Sequence, residues 1–343
     1  MMKKSLVALA VLGASGLAMA QSSVTLYGVA DAGIGGIQQV DSITGKKVRK
    51  ARVTTGGELV NNGPSRVGFT GVEDLGNGTK VGFQFETGLS LADGATYGGT
   101  GGAFWGRQAN VFVGGNWGTV KAGRQFTVSH IVEGVYELTG LANYSVVSNT
   151  YNEAGIGHRA DAAIAYVSPN FAGFQGAIAF VSKNNTGLPH NIWDAGLWYS
   201  NGPIAAGFSV NKGDDDGKTN YQLGGKYNFG NFAVAASYHQ KSIGWADRDM
   251  PGIPYKTPDL IRRGFSLGGS ATFGAFTVTA DFTRDTRREI GWDPVTGVRA
   301  TGKKHTNALL EAKYALSKRT FFYGDIVRLH GLTSWGLGIH HSF

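Results

Sequence analysis

Apolar and polar residues alternate with a period of two over runs of about ten residues, and such runs recur from Ser23 to the last residue. Thr79 to Leu91 is the clearest. Val81, Phe83, Phe85, Leu89 and Leu91 share one parity, while Lys80, Gln84, Glu86 and Ser90 share the other. Lys304 to Leu316 repeats the pattern, with Ala308, Leu310, Ala312, Tyr314 and Leu316 on one face, Asn307, Glu311 and Lys313 on the other, and Leu309 as its exception. Successive side chains of a strand point to opposite sides of the sheet, so each run offers one apolar and one polar face.

The runs end alternately in a tight turn and a longer polar insertion. Turn chemistry marks Gly76-Asn77-Gly78, Asn116-Trp117-Gly118, Pro169 to Gly173, Asn201-Gly202-Pro203, Gly230-Asn231, Gly274-Ala275 and Ser317-Lys318. Longer connections are expected near residues 37–64, 92–103, 126–159, 184–190, 213–217, 243–262, 286–303 and 330–334. Between them the pattern predicts sixteen strands, at 24–36, 65–75, 79–91, 104–115, 118–125, 160–168, 174–183, 191–200, 204–212, 218–229, 232–242, 263–273, 276–285, 304–316, 319–329 and 335–343. The fold class is all-β, a sixteen-stranded antiparallel transmembrane β-barrel, wide enough to enclose water.

The two ends of the chain agree. Lys3 and Lys4 precede an apolar run from Leu6 to Leu17 and an Ala18-Met19-Ala20 site, the pattern of a cleaved secretory signal over residues 1–20, leaving a single barrel domain over 21–343. The last run places Trp335, Leu337, Ile339 and Phe343 on one parity, and a terminal aromatic on such a strand reads as an assembly signal for outer-membrane barrels. Beyond residue 20 no stretch approaches the roughly 18 apolar residues of a spanning helix. A mature chain that crosses a membrane therefore does so as a closed barrel.

Composition narrows the function. With no cysteine, a disulfide framework or a thiol-based site is excluded. Past residue 20 there are 30 basic against 24 acidic residues, and the basic ones recur singly rather than along one face, which argues against nucleic acid as a partner. Gly98 to Arg107 is glycine-rich but lacks the strand-loop-helix context and the Lys-Ser/Thr of a phosphate loop. Gly213-Asp214-Asp215-Asp216-Gly217 lacks the spaced acids of a calcium loop, so a structural calcium ion in the loops has no motif behind it. His340 and His341 are adjacent and point to opposite faces, and so cannot chelate one ion together. No Ser-His-Asp or paired-carboxylate grouping stands out, and no enzyme activity or cofactor is expected.

In order, Ser23 to Asp31, Ser65 to Gly76, Gly106 to Ala109, Gly118 to Gln125, Tyr166 to Phe174 and the terminal Phe343 resemble the trimeric general porins of Gram-negative bacteria, in the branch typical of β-proteobacteria. The resemblance implies a homotrimer in the outer membrane, in contact with lipid and lipopolysaccharide. Its third long loop, here Phe126 to Arg159, folds into each lumen to make a constriction, where Val132, Val135, Tyr136, Leu138, Leu141 and Tyr144 would pack it on the wall. Carried over by position, Arg66, Arg107 and Arg159 line that constriction, Arg124 is a further wall candidate and Lys80 extends a basic ladder. Glu133 and Glu137 would supply an acidic side and so a transverse field. The function implied is passive diffusion of small hydrophilic solutes and ions with a preference for anions. The alternatives are a channel selective for one solute class, such as dicarboxylates or phosphate, and an outer-membrane hydrolase on a smaller barrel.

Overall fold

A computed structural model describes residues 23–41, 43–97, 103–151, 156–186, 191–212, 219–242, 261–286, 290–292, 299–301 and 304–343. Residues 1–20, expected to be a signal, the Gly213 to Gly217 acidic run and most of the 243–262 connection lie outside the described residues. In chain order the strands are β1 (Ser23–Val40), β2 (Lys47–Thr54), β3 (Arg66–Gly76), β4 (Thr79–Leu89), β5 (Thr96–Tyr97), β6 (Gln108–Gly115) and β7 (Gly118–Phe126). Next come the helices α1 (Val128–Tyr136) and α2 (Val146–Tyr151), strands β8 (Arg159–Val167) and β9 (Phe174–Val181), and the helical turn α3 (Lys183–Thr186). Then follow β10 (Ile192–Asn201), β11 (Ile204–Lys212), β12 (Asn220–Asn228), β13 (Phe232–Ser242), β14 (Ile261–Phe273) and β15 (Phe276–Asp285). The chain ends with β16 (Ile290–Trp292), β17 (Arg299–Thr301), β18 (Thr306–Ala315), β19 (Thr320–Leu329) and β20 (Leu332–Ser342).

Leaving aside the loop strands β2, β5, β16 and β17, sixteen strands pair antiparallel, each with the next, and β20 returns to β1 from Val29↔Ser342 to Gly36↔Trp335. The ring is closed, and Phe343 seals it: its backbone N–H and C=O exchange 3.1 Å bonds with Gly28. The expected strands match within three residues except 24–36, which runs on to Val40, and 104–115, which begins at Gln108.

Three expected connections differ. Within 37–64, β1 runs on to Val40 and pairs with β2, and residues 55–65 then turn back onto the inner face beneath Asp31. The 286–303 connection carries the β16–β17 hairpin. The 330–334 connection is a tight turn, His330 and Gly331 both taking positive φ, so it belongs with the hairpins.

The polarity of the two faces is the reverse of a soluble protein's. Outward positions carry exposed Leu26, Val111, Ile164, Leu197, Phe208, Leu223, Leu267, Leu310, Ile326 and Leu337. Inward positions carry buried Asp31, Glu86, Asn110, Asp194, Gln222, Thr283, Asn307, Glu311 and Asp325. Lipid meets the first set, and the inside of the ring holds the second.

Residues 127–151 and 156–158 lie against that inner face. Val128, Val132 and Tyr136, spaced i, i+4 and i+8, form one stripe of α1. They enter a groove that β8 to β12 leave open with small inward residues: Ala165, Ala177, Ala179, Gly196, Gly207 and Gly224. A Cβ added at Gly196 or Gly207 would meet Val132 at 2.7 or 2.8 Å, and one at Gly224 would meet Tyr136 at 2.5 Å. Asp194 of β10 fixes the start of α1, accepting from Ser129 N–H at 3.0 Å and Ser129 Oγ–H at 2.6 Å. Farther on, Ala142, Tyr144 and Val146 pack with Leu309, Tyr323 and Val327 of β18 and β19. Leu309, the one apolar residue on its polar face, is where the loop lands. There Tyr144 donates 2.6 Å to Glu311, and burial together with that carboxylate raises the Tyr144 hydroxyl pKa well above the usual tyrosine value.

Gly224→Leu should force Tyr136 out of its groove at a cost of about 1–3 kcal/mol, seen as faster proteolysis within 127–158. Gly225→Leu, on the outward side with no neighbour nearer than 3.8 Å, should leave the cleavage rate unchanged.

Candidate functional site

Between the loop and the wall made by β3, β4, β6 and β8 lies a cavity of about 690 Å³. Arg66, Glu86, Arg107 and Arg159 border it on the wall side, and His130, Ile131, Gly134, Leu141, Asn143 and His158 on the loop side.

Strand register assembles the wall. Glu86 stands opposite Gly68 of β3 and Gln108 of β6, with Arg66 two residues from the first partner and Arg107 one from the second. Arg107 sits in a bend just before β6, its N–H bonded to Glu86 O, and its Nε donates 2.6 Å to Glu86 Oε1. Arg66 Nε lies 3.7 Å from Glu86 Oε2, and its Nη1 donates to Pro64 O. Arg159 is placed by a bulge. Gly123 pairs Ala163 and Gln125 pairs Ala160, so Asp161 and Ala162 together face Arg124, and Ala162 takes φ 49°. The slip resets which side the following residues face, and Arg159 Cζ comes to rest 4.5 Å over the Phe126 ring, with both residues on the cavity.

Arg66, Arg107 and Arg159 are thus placed together on the cavity, and Arg124 and Lys80 do not join them. Arg124 pairs with Ala109 on the face that carries Val111 and Val113, bonds Gly106 O and forms an ion pair with Asp161. Along β7 it shares the parity of Val120 and Ala122, the outward set, so alternation itself turns it from the lumen. Lys80 lies at the turn end of β4, six residues from Glu86 or roughly 20 Å along the strand, paired across from Asp74 and Gly114.

The two glutamates expected on the acidic side of the constriction are placed elsewhere. Glu133 is fully buried on α1 and accepts from Ser148 Oγ–H of α2, tying the two helices together. Glu137 turns back on its own loop, accepting from Thr139 Oγ1 at 2.7 Å and Leu141 N–H at 2.8 Å. Neither borders the cavity. The donors that hold the two carboxylates, Ser148 Oγ–H, Thr139 Oγ1–H and Leu141 N–H, belong to the loop itself and turn them away from the lumen. The acid that does face the arginines is Glu86, on the strand wall; its place on the polar face of 79–91 was the available signal.

Asp31 anchors a second inward segment, accepting from Asn61 Nδ2 at 2.9 Å, Tyr323 OH at 2.6 Å and Gly63 N–H at 3.2 Å, with His340 Nδ1 at 2.9 Å. His340 borders the cavity while His341 bonds Thr320 Oγ1 on the other face, as adjacent strand positions require.

A family model described as Gram-negative porin matches residues 5–332. Outer membrane porin protein 32 of Delftia acidovorans is 31% identical over 98% of this chain and 92% of its own length. An outer membrane porin of Bordetella pertussis is 29% identical over the whole of both chains. Among solved structures, an anion-selective porin from Comamonas acidovorans superposes with a TM-score of 0.72 at 24% identity, covering 94% of this chain and 100% of that one.

Glu86→Gln should destabilise the wall by about 1–3 kcal/mol, because the guanidinium groups lose the carboxylate they share in a poorly solvated corner. Thermal unfolding followed by circular dichroism in detergent should show a lower transition temperature than wild type, with Glu86→Asp in between.

Proposed function

Because the chain belongs to the Gram-negative porin family and forms an outer-membrane β-barrel, we propose that the cleft lined by Arg66, Arg107 and Arg159 is its conducting throat, preferring small anions. The observation that carries this is the charge balance across the cleft. Three guanidinium groups face one carboxylate, Glu86, a net of two positive charges, and Glu133 and Glu137 are bonded elsewhere. Among the described residues no carboxylate pairs with Arg159.

A guanidinium keeps its charge at any physiological pH. Fixed positive charge in a narrow passage with low-dielectric walls raises the local anion concentration and lowers that of cations. Solutes move down their own gradients through water, so no bond is made or broken and no cofactor is involved. Inorganic anions, phosphate and small carboxylates are the favoured traffic. In place of a field between loop acids and wall bases, the throat has a one-sided positive wall facing a nearly neutral loop. The same reading has the segment ending at Ala20 removed on export, and three copies of the chain assembling side by side in contact with lipopolysaccharide.

Current through the refolded protein in a planar bilayer under a potassium chloride gradient should close in groups of three steps and reverse at a potential of the anion's sign. Replacing Arg66, Arg107 and Arg159 together with Ser should move that potential toward zero, and an unchanged value would sink the throat assignment. Glu133→Gln and Glu137→Gln should leave it where it is, since neither carboxylate borders the cleft.

A further inference from the structure

On the loop side of the cleft two imidazoles meet. His130 in α1 and His158 just before β8 bring their Nδ1 atoms to 3.3 Å, with the rings at 83°. The chain holds them there at the neck of the loop, where it leaves the wall and returns. Thr127 does the joining: its N–H donates 3.1 Å to His158 O, its Oγ1–H donates 2.8 Å to Gly157 O, and the same oxygen accepts from His130 N–H. The His130 ring also lies against Phe126 at 4.7 Å between centroids, and Phe126 is fixed on its other contact by Arg159.

Two imidazole nitrogens this close cannot both present bare lone pairs to each other; in a neutral pair one Nδ1–H donates to the other Nδ1, and a bridging cation would take that proton's place. A proton is one answer and a metal ion is the other. Two nitrogens bound to zinc at its usual 2.0–2.1 Å and the tetrahedral angle lie about 3.3 Å apart, which is the separation found. Imidazole suits Zn²⁺, Cu²⁺ and Ni²⁺, whereas Mg²⁺ and Ca²⁺ ask for oxygen.

We propose that His130 and His158 form a two-histidine site for a borderline divalent transition-metal ion such as Zn²⁺ at the throat, with anions or water from the cleft completing its coordination. Among the described residues no third His, Asp or Glu joins the pair into a closed site, and both histidines border the cleft from which anions or water would reach the ion. The neighbouring Arg159 opposes a bare dication, and the anions gathered by the arginine wall offset that charge by binding the metal. An ion held there narrows the passage.

The consequence for current rests on the cleft being the conducting path, and two measurements on the whole protein separate the two ideas. Calorimetric titration of the detergent-solubilised protein with zinc chloride should show binding in the micromolar range, weakened at least tenfold in His130→Gln and in His158→Gln and absent for magnesium chloride. In the bilayer, zinc should lower the wild-type current at least about twofold, with recovery on EDTA, and each variant, compared with its own zinc-free current, should lose the response. A conducting channel that binds no zinc, or variants that bind as tightly as wild type, would overturn the metal site and leave the porin intact. Histidine-dependent binding with no change in current would uphold the site and overturn the cleft as the path.

Discussion

Everything in this molecule follows from the requirement that no backbone N–H or C=O be left unpaired in hydrocarbon. Sixteen strands satisfy it only by closing on themselves, and the bonds between β20 and β1, finished by Phe343 against Gly28, complete the ring. Closure then dictates the side chains. The outside must be apolar, the inside is left for polar groups, and a ring of this size has an interior that its own side chains cannot fill. The loop between β7 and β8 and the segment 55–65 occupy part of that interior, and the arginine wall is the stretch they leave bare.

The period-two pattern made the barrel legible because each spanning strand is forced to show one face to lipid and one to water. Where that force is absent, the reading failed. β2 lies in a projecting hairpin exposed on nearly all of its residues, and its Lys47-Val48-Arg49-Lys50-Ala51-Arg52 run has no apolar face to announce it. The turn at His330 and Gly331 is shorter than the expected 330–334 connection because both residues take positive φ, which for a histidine no residue pattern announces.

The site was half legible. Arg66 and Arg107 are brought together by register, and Arg159 by the β8 bulge, but Arg124 lies on the outward parity of β7, and the two loop glutamates are claimed by Ser148, Thr139 and a backbone amide. These are tertiary decisions, made with hydrogen-bond partners up to 37 residues away. Yet exceptions within the pattern carried information. Leu309 and Trp198, apolar residues on inward faces, mark two of the places where the loop rests.

Those two places lie on different arcs of the ring, and the loop is bonded at both: Asp194 of β10 grips Ser129 at one end, and Glu311 of β18 grips Tyr144 at the other. A hollow cylinder of sheet is easily squeezed into an oval, since bending between neighbouring strands breaks no ladder bond. A strut fixed to separated arcs resists that ovalisation, so the bore keeps its cross-section when the surrounding membrane is stretched or compressed. The loop is thus a mechanical brace, and the width of the aperture is set by the span between its two anchor points rather than by the pressure on the wall.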